Sequence, residues 1–327
     1  MNNLTMNALA TRPAPQAPSP IAPGTLNLKH ILAPVDFSEA SAQGLRFASI
    51  VAEEFDARLD VVHVVEPPAY PDWGYAHLIV REDKLRRAAT ARLPEFTVES
   101  GVKPELLDLT SVRLGDAERE IIKMAEERNA DLVVLASHGI GMLSFGRTTT
   151  RVVREAGCPV LVVRDQAVRE NPSLMVKLGI KRILVPTDFS ETSKKSLPYA
   201  AAFARRFNAT IVLVHVVPGT LPAELGHLGL VVEQNRLMKG AKDLLPLFRD
   251  TCLDRRLAVE SHVLNGGPAW EICKAATDLE CDLIMLSTHG HSGLKHLFLG
   301  SVTERVVSYA PVPVLVVREK ERDFVPL

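Results

Sequence analysis

The chain has 327 residues, of which 46% are hydrophobic and 24% charged, and its formal net charge is -1. This length predicts two domains, and the near-zero charge gives no basic field for nucleic acid. No apolar run reaches the ~20 residues that a membrane helix needs. The four cysteines form no C-x-x-C pair, which indicates reduced thiols rather than disulfides or a metal site. We therefore expect a cytoplasmic protein that binds neither nucleic acid nor membrane.

The first segment, residues 1–27, is rich in Ala and Pro and contains a single arginine, Arg12. It has neither the basic start nor the apolar core of a secretory signal. Its composition predicts a disordered tail.

The rest of the chain repeats itself. Residues 29–41 return as residues 181–193, with nine of thirteen positions identical. Three further pairs of segments match in the same order: 59–65 with 211–217, 131–139 with 282–290, and 159–164 with 313–318. The matches predict two homologous domains, 28–164 and 180–320, joined by a polar linker over 165–179.

Each repeat alternates short apolar runs with segments of helical periodicity. In the second repeat the runs at 183–186, 210–217, 258–264, 282–287 and 314–317 predict strands. Apolar spacing predicts helices over 197–207, 270–279 and 302–308. The pattern indicates an α/β fold of two tandem doubly wound domains, each a five-stranded parallel sheet flanked by helices. Ligands of such sheets bind at the carboxyl ends of the strands.

A glycine-rich segment follows the fourth strand of the second repeat and ends at Gly300-Ser301. Ser301 and Glu304 have the spacing of a capping box, which predicts that Ser301 caps a helix. Glycines before a helix N-terminus suit a phosphate, because backbone N–H groups and the helix dipole favour an anion. On spacing alone, a phosphate loop and an ordinary capped turn are equally compatible with these residues.

Other polar residues near the strand ends admit two interpretations. Asp188 could accept a hydrogen bond from a base or a ribose, or it could bond the next helix, where Ser190 is a candidate cap. Taken alone, the structural role is favoured for Asp188. His215 and His289 lie in an apolar strand and a tight turn, which favours packed, hydrogen-bonded histidines. No residue is assigned to catalysis or to a metal.

The loop resembles that of the universal stress protein family, in the branch that binds ATP. That branch has Gly, two residues, Gly, nine residues, then Gly and Ser or Thr; here Ser287, Gly290, Gly300 and Ser301 occupy those positions, with serine replacing the first glycine. The resemblance covers nearly the whole chain after the tail, once per repeat. The nucleotide contacts it implies are Pro186, Thr187, Asp188, Val216, Gly266, Ser287, His289, Gly290, His291, Gly293, Gly300, Ser301, Val302 and Thr303.

The first repeat departs from this pattern. Six residues separate Gly139 from Gly146, against nine between Gly290 and Gly300, and Arg147 replaces Ser301. A shorter loop has less reach around a triphosphate. The corresponding degenerate site comprises Asp36, Val64, Gly115, Gly139, Gly146 and Arg147. We expect it to bind ATP weakly or not at all.

The resemblance implies a stress-response regulator that binds ATP, alone or with Mg or Mn, or a related adenine nucleotide. It would act through an unidentified protein partner. The family's pairing mode implies that the repeats pair through their last strands, at 160–163 and 314–317, and a homodimer of chains is a further expectation. A slow ATPase or phosphotransferase is disfavoured because no Walker lysine precedes Ser301. A ligand-free scaffold is the third alternative.

Overall fold

The computed structural model describes residues 26–66, 75–137, 146–170, 178–219, 228–288 and 299–325, without the side chains of 75–81, 169–170 and 228–231. The first repeat contains β1 His30–Val35, α1 Glu39–Phe55, β2 Arg58–Val65, α2 Tyr75–Glu99, β3 Leu107–Leu114, α3 Ala117–Glu127, β4 Leu132–Ser137, α4 Arg147–Glu155 and β5 Val160–Arg164. The second contains β6 Arg182–Pro186, α6 Ser196–Phe207, β7 Thr210–Pro218, α7 Leu228–Cys252, β8 Val259–Gly266, α8 Pro268–Asp278, β9 Leu283–Ser287, α9 Ser301–Tyr309 and β10 Val314–Val317. A short helix, α5 Asp165–Glu170, lies between the repeats.

The strands form one ten-stranded sheet in the order β3-β2-β1-β4-β5-β10-β9-β6-β7-β8. Within each repeat every neighbouring pair is parallel, which confirms the predicted tandem α/β fold. The repeats meet where β5 and β10 pair antiparallel, with Leu161 opposite Leu315. The order within each half reverses beside its first strand, so each half is doubly wound.

The central strands are apolar on both faces because helices cover the sheet on both sides. Along β1, Ile31 and Ala33 belong to one buried cluster and Leu32 to another. The same alternation recurs in β6, where Ile183 and Leu184 point into opposite clusters. Uninterrupted apolar runs are the expected sequence of such parallel strands, since successive side chains enter opposite cores.

Two arginines link the repeats beside the antiparallel strand pair. Arg164, the last residue of β5, is 6% exposed, and its Nη1 donates to the carbonyl of Ala310 at 2.8 Å. Arg318, just after β10, donates in turn to the carbonyl of Ala156. Ala310 and Ala156 are the C-cap residues of α9 and α4. Each repeat thus caps the end of a helix in the other, where carbonyl groups and the helix dipole favour a cation.

The segment predicted to be a polar linker is partly helical. Its first six residues form α5, in which Ala167 is fully buried and Val168 is 6% exposed. The polar composition of the segment did not predict that Ala167 and Val168 are buried, because two apolar residues in a charged segment give no periodic signal. The linker therefore begins as part of the packed structure.

The C-terminal segment returns across the junction. The N–H of Asn27 donates to the carbonyl of Phe324 at 2.8 Å, and Phe324 is 2% exposed. Asp323 accepts from the hydroxyl of Tyr199 at 2.5 Å and pairs with Lys195 Nζ at 2.7 Å. This segment thereby joins α6 of the second repeat to the start of the first.

Within the described part of the chain, no helix combines the length and hydropathy needed to cross a bilayer.

The buried contact of Arg164 predicts a loss of stability on substitution. Arg164→Met removes a charge-assisted hydrogen bond and leaves the Ala310 carbonyl unpaired, which should lower the free energy of unfolding by about 1.5–3 kcal/mol. Urea denaturation measures this, with Arg86→Met as control, because Arg86 is 58% exposed and pairs with Asp83 on the surface of α2. Equal effects of the two substitutions would contradict the role of Arg164.

Glu321 predicts a pH dependence. Both of its carboxyl oxygens are buried, and this burial raises its pKa from 4.5 to about 8. The folded state holds a proton that the unfolded chain releases above pH 4.5, so this contribution to stability is lost as pH rises towards 8. Glu321→Gln should remove a slope of up to about 1.4 kcal/mol per pH unit. Urea denaturation of both proteins at several pH values tests it, and parallel curves would refute it.

Candidate functional site

The end of β6 forms a tightly bonded turn in the second repeat. The N–H of Thr187 donates to the carbonyl of Val214 in β7 at 2.8 Å. The Thr187 hydroxyl accepts from the N–H of Phe189 and lies 3.0 Å from the Ser193 hydroxyl. Pro186 is half-buried at the strand end and Thr187 is 6% exposed. This turn positions Asp188 at the carboxyl edge of the sheet.

Asp188 bonds Ser190 in the turn rather than the next helix, and Ser190 is not the N-cap of α6, which is Lys195. The Oδ1 of Asp188 accepts from the N–H of Ser190 at 3.1 Å and from the Ser190 hydroxyl at 2.5 Å. The Ser190 hydroxyl in turn accepts from the N–H of Ser193 at 3.1 Å. These bonds fix the turn before α6, so any ligand contact of Asp188 would be made by a side chain already held in place.

An aromatic cluster lies beneath this turn. Phe189 has a positive φ of 65°, an uncommon conformation for a bulky residue, and its ring stacks on His215 with centroids 4.3 Å apart. The Nδ1 of His215 donates to the carbonyl of Thr187 at 2.8 Å, and burial lowers the pKa of this imidazole. His215 is therefore a neutral, packed histidine, as its position in an apolar strand predicted.

The same cluster exists in the first repeat, where Phe37 has a φ of 62° and stacks on His63 with centroids 4.1 Å apart. Sequence reasoning missed the part played by the phenylalanine. The only signal was the Asp-Phe-Ser triplet that both repeats share.

Gly300 lies against the end of β9. Its N–H donates to the carbonyl of Thr288 at 2.9 Å, and the Thr303 hydroxyl donates to the carbonyl of Ser287 at 3.0 Å. A Cβ on Gly300 would lie 2.9 Å from the Thr288 oxygen. Glycine is required here by the close approach of two backbones, not by a positive φ.

The predicted capping box is wrong. Gly300 is the N-cap of α9, and no side chain among the described residues caps this helix start. Ser301 is already the first helical residue and is exposed, while the N–H of Glu304 donates to the carbonyl of Gly300 at 2.9 Å. The serine lies one position too late, because an N-cap hydroxyl must precede the first helical residue to reach the N–H groups of the first turn. Within the described part of the chain, the N–H groups at the start of α9 therefore have no side-chain cap.

The remaining predicted contacts of this repeat surround the strand ends. Val216 in β7 is 9% exposed, and Gly266 ends β8 with a φ of 149°. A Cβ on Gly266 would lie 2.6 Å from Oε1 of Glu271, and its φ is one that residues with side chains rarely adopt. Val302, in the first turn of α9, is 36% exposed. His289, Gly290, His291 and Gly293 lie outside the described residues.

The first repeat has a cleft of about 430 Å³ at the corresponding strand ends. Three residues of the predicted degenerate site, Asp36, Val64 and Gly146, line it. Gly115 directly follows β3 and has a φ of 147°, close to the 149° of Gly266. Gly139 lies outside the described residues. Sequence reasoning missed Glu66, whose carboxylate lines the cleft and accepts from the N–H of Ala117 at 3.1 Å.

Arg147, which stands in the place of Ser301, is engaged by an acid. Its Nε lies 2.6 Å from Oε1 of Glu118, and its Nη2 donates to Oε2 at 3.4 Å. Glu118 is fully buried. In the second repeat the position of Glu118 is Ala269. The guanidinium of Arg147 therefore neutralises a buried carboxylate that the second repeat lacks.

No group of three or more His, Cys, Asp and Glu side chains that could hold a metal occurs among the residues described.

The contact of Gly300 with Thr288 predicts a difference between the repeats. Gly300→Ala should lower the free energy of unfolding by about 1–3 kcal/mol, because the backbone of β9 or α9 must shift to admit the methyl group. Gly146→Ala is the matched control, since its Cβ would meet nothing closer than the Thr149 hydroxyl at 3.9 Å. Urea denaturation of both variants measures the difference, and equal losses would contradict it.

Comparison with known proteins assigns a family. The model of the universal stress protein family matches residues 27–164 and again residues 179–318. Universal stress protein MJ0577 of Methanocaldococcus jannaschii is 35% identical over 155 residues, which cover 43% of this chain and 96% of that protein. A universal stress protein of Mycolicibacterium smegmatis is 28% identical over 307 residues, covering 89% of this chain and 97% of the relative.

Solved structures agree at the level of the fold. A universal stress protein from Archaeoglobus fulgidus superposes with a TM-score of 0.60 at 20% identity, covering 88% of this chain and 98% of that one. A universal stress protein has also been solved in complex with cAMP; it covers 43% of this chain and 98% of its own, at 20% identity and a TM-score of 0.29. Because the family model matches both repeats, the chain belongs to the universal stress protein family as a tandem member.

Proposed function

We propose that the protein binds ATP, or a related adenine nucleotide, in its second repeat, and that the bound nucleotide alters contact with a protein partner in a stress response. The observation that carries the proposal is the start of α9. Gly300 holds it against β9, and no side chain that the structure describes caps its first N–H groups. Such a helix start favours an anion through its N–H groups and dipole.

The loop supplies the rest of the proposed site. The spacing of Gly290, Gly300 and Ser301 matches the family's ATP fingerprint, so we assign the phosphates to this loop and to Val302 and Thr303 of the first turn. His289, His291 and Gly293 belong to the same loop. We assign the base and ribose to the strand-end residues Pro186, Thr187, Asp188, Val216, Gly266 and Ser287. Mg or Mn would enter with the phosphates.

The proposed asymmetry rests on charge. The first repeat places Glu66, Asp116 and Glu118 around its cleft and helix start, and the second has Pro218, Gly267 and Ala269 at these positions. Glu66 and Asp116 add negative charge that opposes a triphosphate, and Arg147 is already paired with the buried Glu118. We therefore propose that the first repeat does not hold ATP in the way the second does.

The route from nucleotide to partner would run through α9. Its first turn faces the proposed phosphates, and its C-cap, Ala310, accepts the hydrogen bond from Arg164 of the first repeat. A shift of α9 on binding would therefore act on the junction between the repeats. Arg164 links the two because it contacts the opposite end of the same helix.

The test is isothermal titration of the purified protein with ATP. We expect about one site per chain, and Ser301→Glu should weaken affinity at least about tenfold, because it places a carboxylate beside the phosphates. The same charge is favourable at a helix N-terminus, so the fold should be retained. Ser301→Thr, which keeps the hydroxyl, is the matched control and should bind like the wild type.

The contrary outcomes separate the alternatives. The absence of binding at millimolar ATP would refute the proposal in favour of a ligand-free scaffold. Two equal sites per chain would refute the asymmetry. Phosphate release well above background, lost in Ser301→Glu, would identify a slow ATPase.

A further inference from the structure

The outer surface of α7 carries an apolar stripe. Leu237, Leu244 and Leu247 are 46%, 45% and 64% exposed, and Gly240 lies among them. Their spacing of three, four and three residues places all four on one line along the helix. Glu233 and Thr251 continue the line at either end, so the stripe is bounded by polar residues.

The stripe is distinct from the face of α7 that packs on the sheet. α7 packs on the sheet through a different line of residues, Ala241, Leu245 and Phe248, which are 6%, 2% and 8% exposed. The stripe lies beside that buried face. The buried face therefore supplies most of the contact between α7 and the core, while the leucines of the stripe keep 45–64% of their surface exposed.

The first repeat shows that the fold tolerates charge at these positions. Its helix α2 aligns with α7, and its Pro94 and Phe96 correspond to Pro246 and Phe248. Where α7 has Leu244 and Leu247, α2 has Arg92 and Glu95, which form an ion pair at 3.3 Å. The same helix position is therefore charged and exposed to solvent in the first repeat and apolar in the second.

The stripe is complementary to itself in the antiparallel direction. When a second α7 lies antiparallel about a twofold axis near residue 242, Leu237 meets Leu247 of the second copy and Gly240 meets Leu244. A Cβ on Gly240 would have nothing within 4 Å, so the space beside this glycine is open to a leucine of the second copy. Glycine weakens a helix interior, and this pairing gives it a role.

The charges beside the stripe also match. The antiparallel arrangement brings Arg236 next to Asp250 of the second copy, and the twofold axis repeats this pair. At the axis, Asp243 approaches Asp243 of the second copy. Lys239, one turn earlier on the same helix, offsets the repulsion between these two carboxylates. Opposite charges therefore flank both ends of the apolar line.

We propose that the protein forms a twofold dimer in which the α7 helices of two copies pair antiparallel through Leu237, Gly240, Leu244 and Leu247. One helix face is smaller than the ~800 Å² per partner of standard interfaces. The dimer is therefore weak and depends on concentration. It uses neither the β5–β10 junction nor the proposed nucleotide site.

Analytical ultracentrifugation of the full chain without nucleotide tests the proposal. The mean mass should rise from 35.8 kDa towards twice that value as concentration increases. Leu244→Arg combined with Leu247→Glu, which copies the residues of α2, should remain a monomer. Val98→Glu is the control, because Val98 is 68% exposed on α2 and should leave the dimer unchanged. A monomer at every concentration, or a dimer that survives the double substitution, would overturn the proposal. A monomer at every concentration would indicate that the stripe binds a different protein.

Cross-linking tests the direction of pairing. Asp243→Cys lies beside the axis and should be joined to its own copy by a short bis-maleimide. Glu233→Cys should not, because nine residues from the axis place the two copies about 27 Å apart along the helices. The wild type controls for the half-buried Cys252. Equal cross-linking of both variants, or of neither, would refute the antiparallel arrangement, and circular dichroism verifies that each variant is folded.

Discussion

The antiparallel pairing of β5 with β10 is the contact on which the rest of the molecule depends. Val160, Leu161 and Val162 lie opposite Val316, Leu315 and Val314, and the described residues of β5 and β10 are buried. Each of these strands would otherwise be an apolar sheet edge, which invites uncontrolled pairing. By joining them, the chain turns two half-sheets into one and removes both edges.

The arginines beside this pair connect the junction to the helices that begin at the two candidate sites. Arg164 caps the C-terminus of α9 and Arg318 that of α4, so each helix is held at one end by the opposite repeat. The other ends of α9 and α4 lie at the strand termini of the two candidate sites. The two repeats therefore share the same backbone arrangement but carry different side chains at their candidate sites. Arg147 and its buried partner Glu118 lie at the first site, and Ser301 lies at the second.

Much of the fold was predictable because it is encoded locally. Apolar runs of strand length and the offset between repeats located β6 to β10 within a residue or two. The packed role of His215 also followed from its apolar strand.

The capping box was wrong because tertiary contacts set the residue at which a helix begins. Here the hydrogen bond from Gly300 to Thr288 fixes the start of α9. The ion pair of Arg147 escaped notice because Glu118 lies 29 residues earlier.

By itself the sequence determined the tandem α/β architecture, the family resemblance and the difference between the two glycine loops, since these depend on periodicity and on the comparison of one repeat with the other. Only the tertiary structure decided where α9 begins, which helix each arginine caps, and how the C-terminal segment joins the repeats. Arg164 and Ala310 are 146 positions apart. A hydrogen bond over such a separation leaves no local pattern, because its partners are brought together only when the whole sheet has formed.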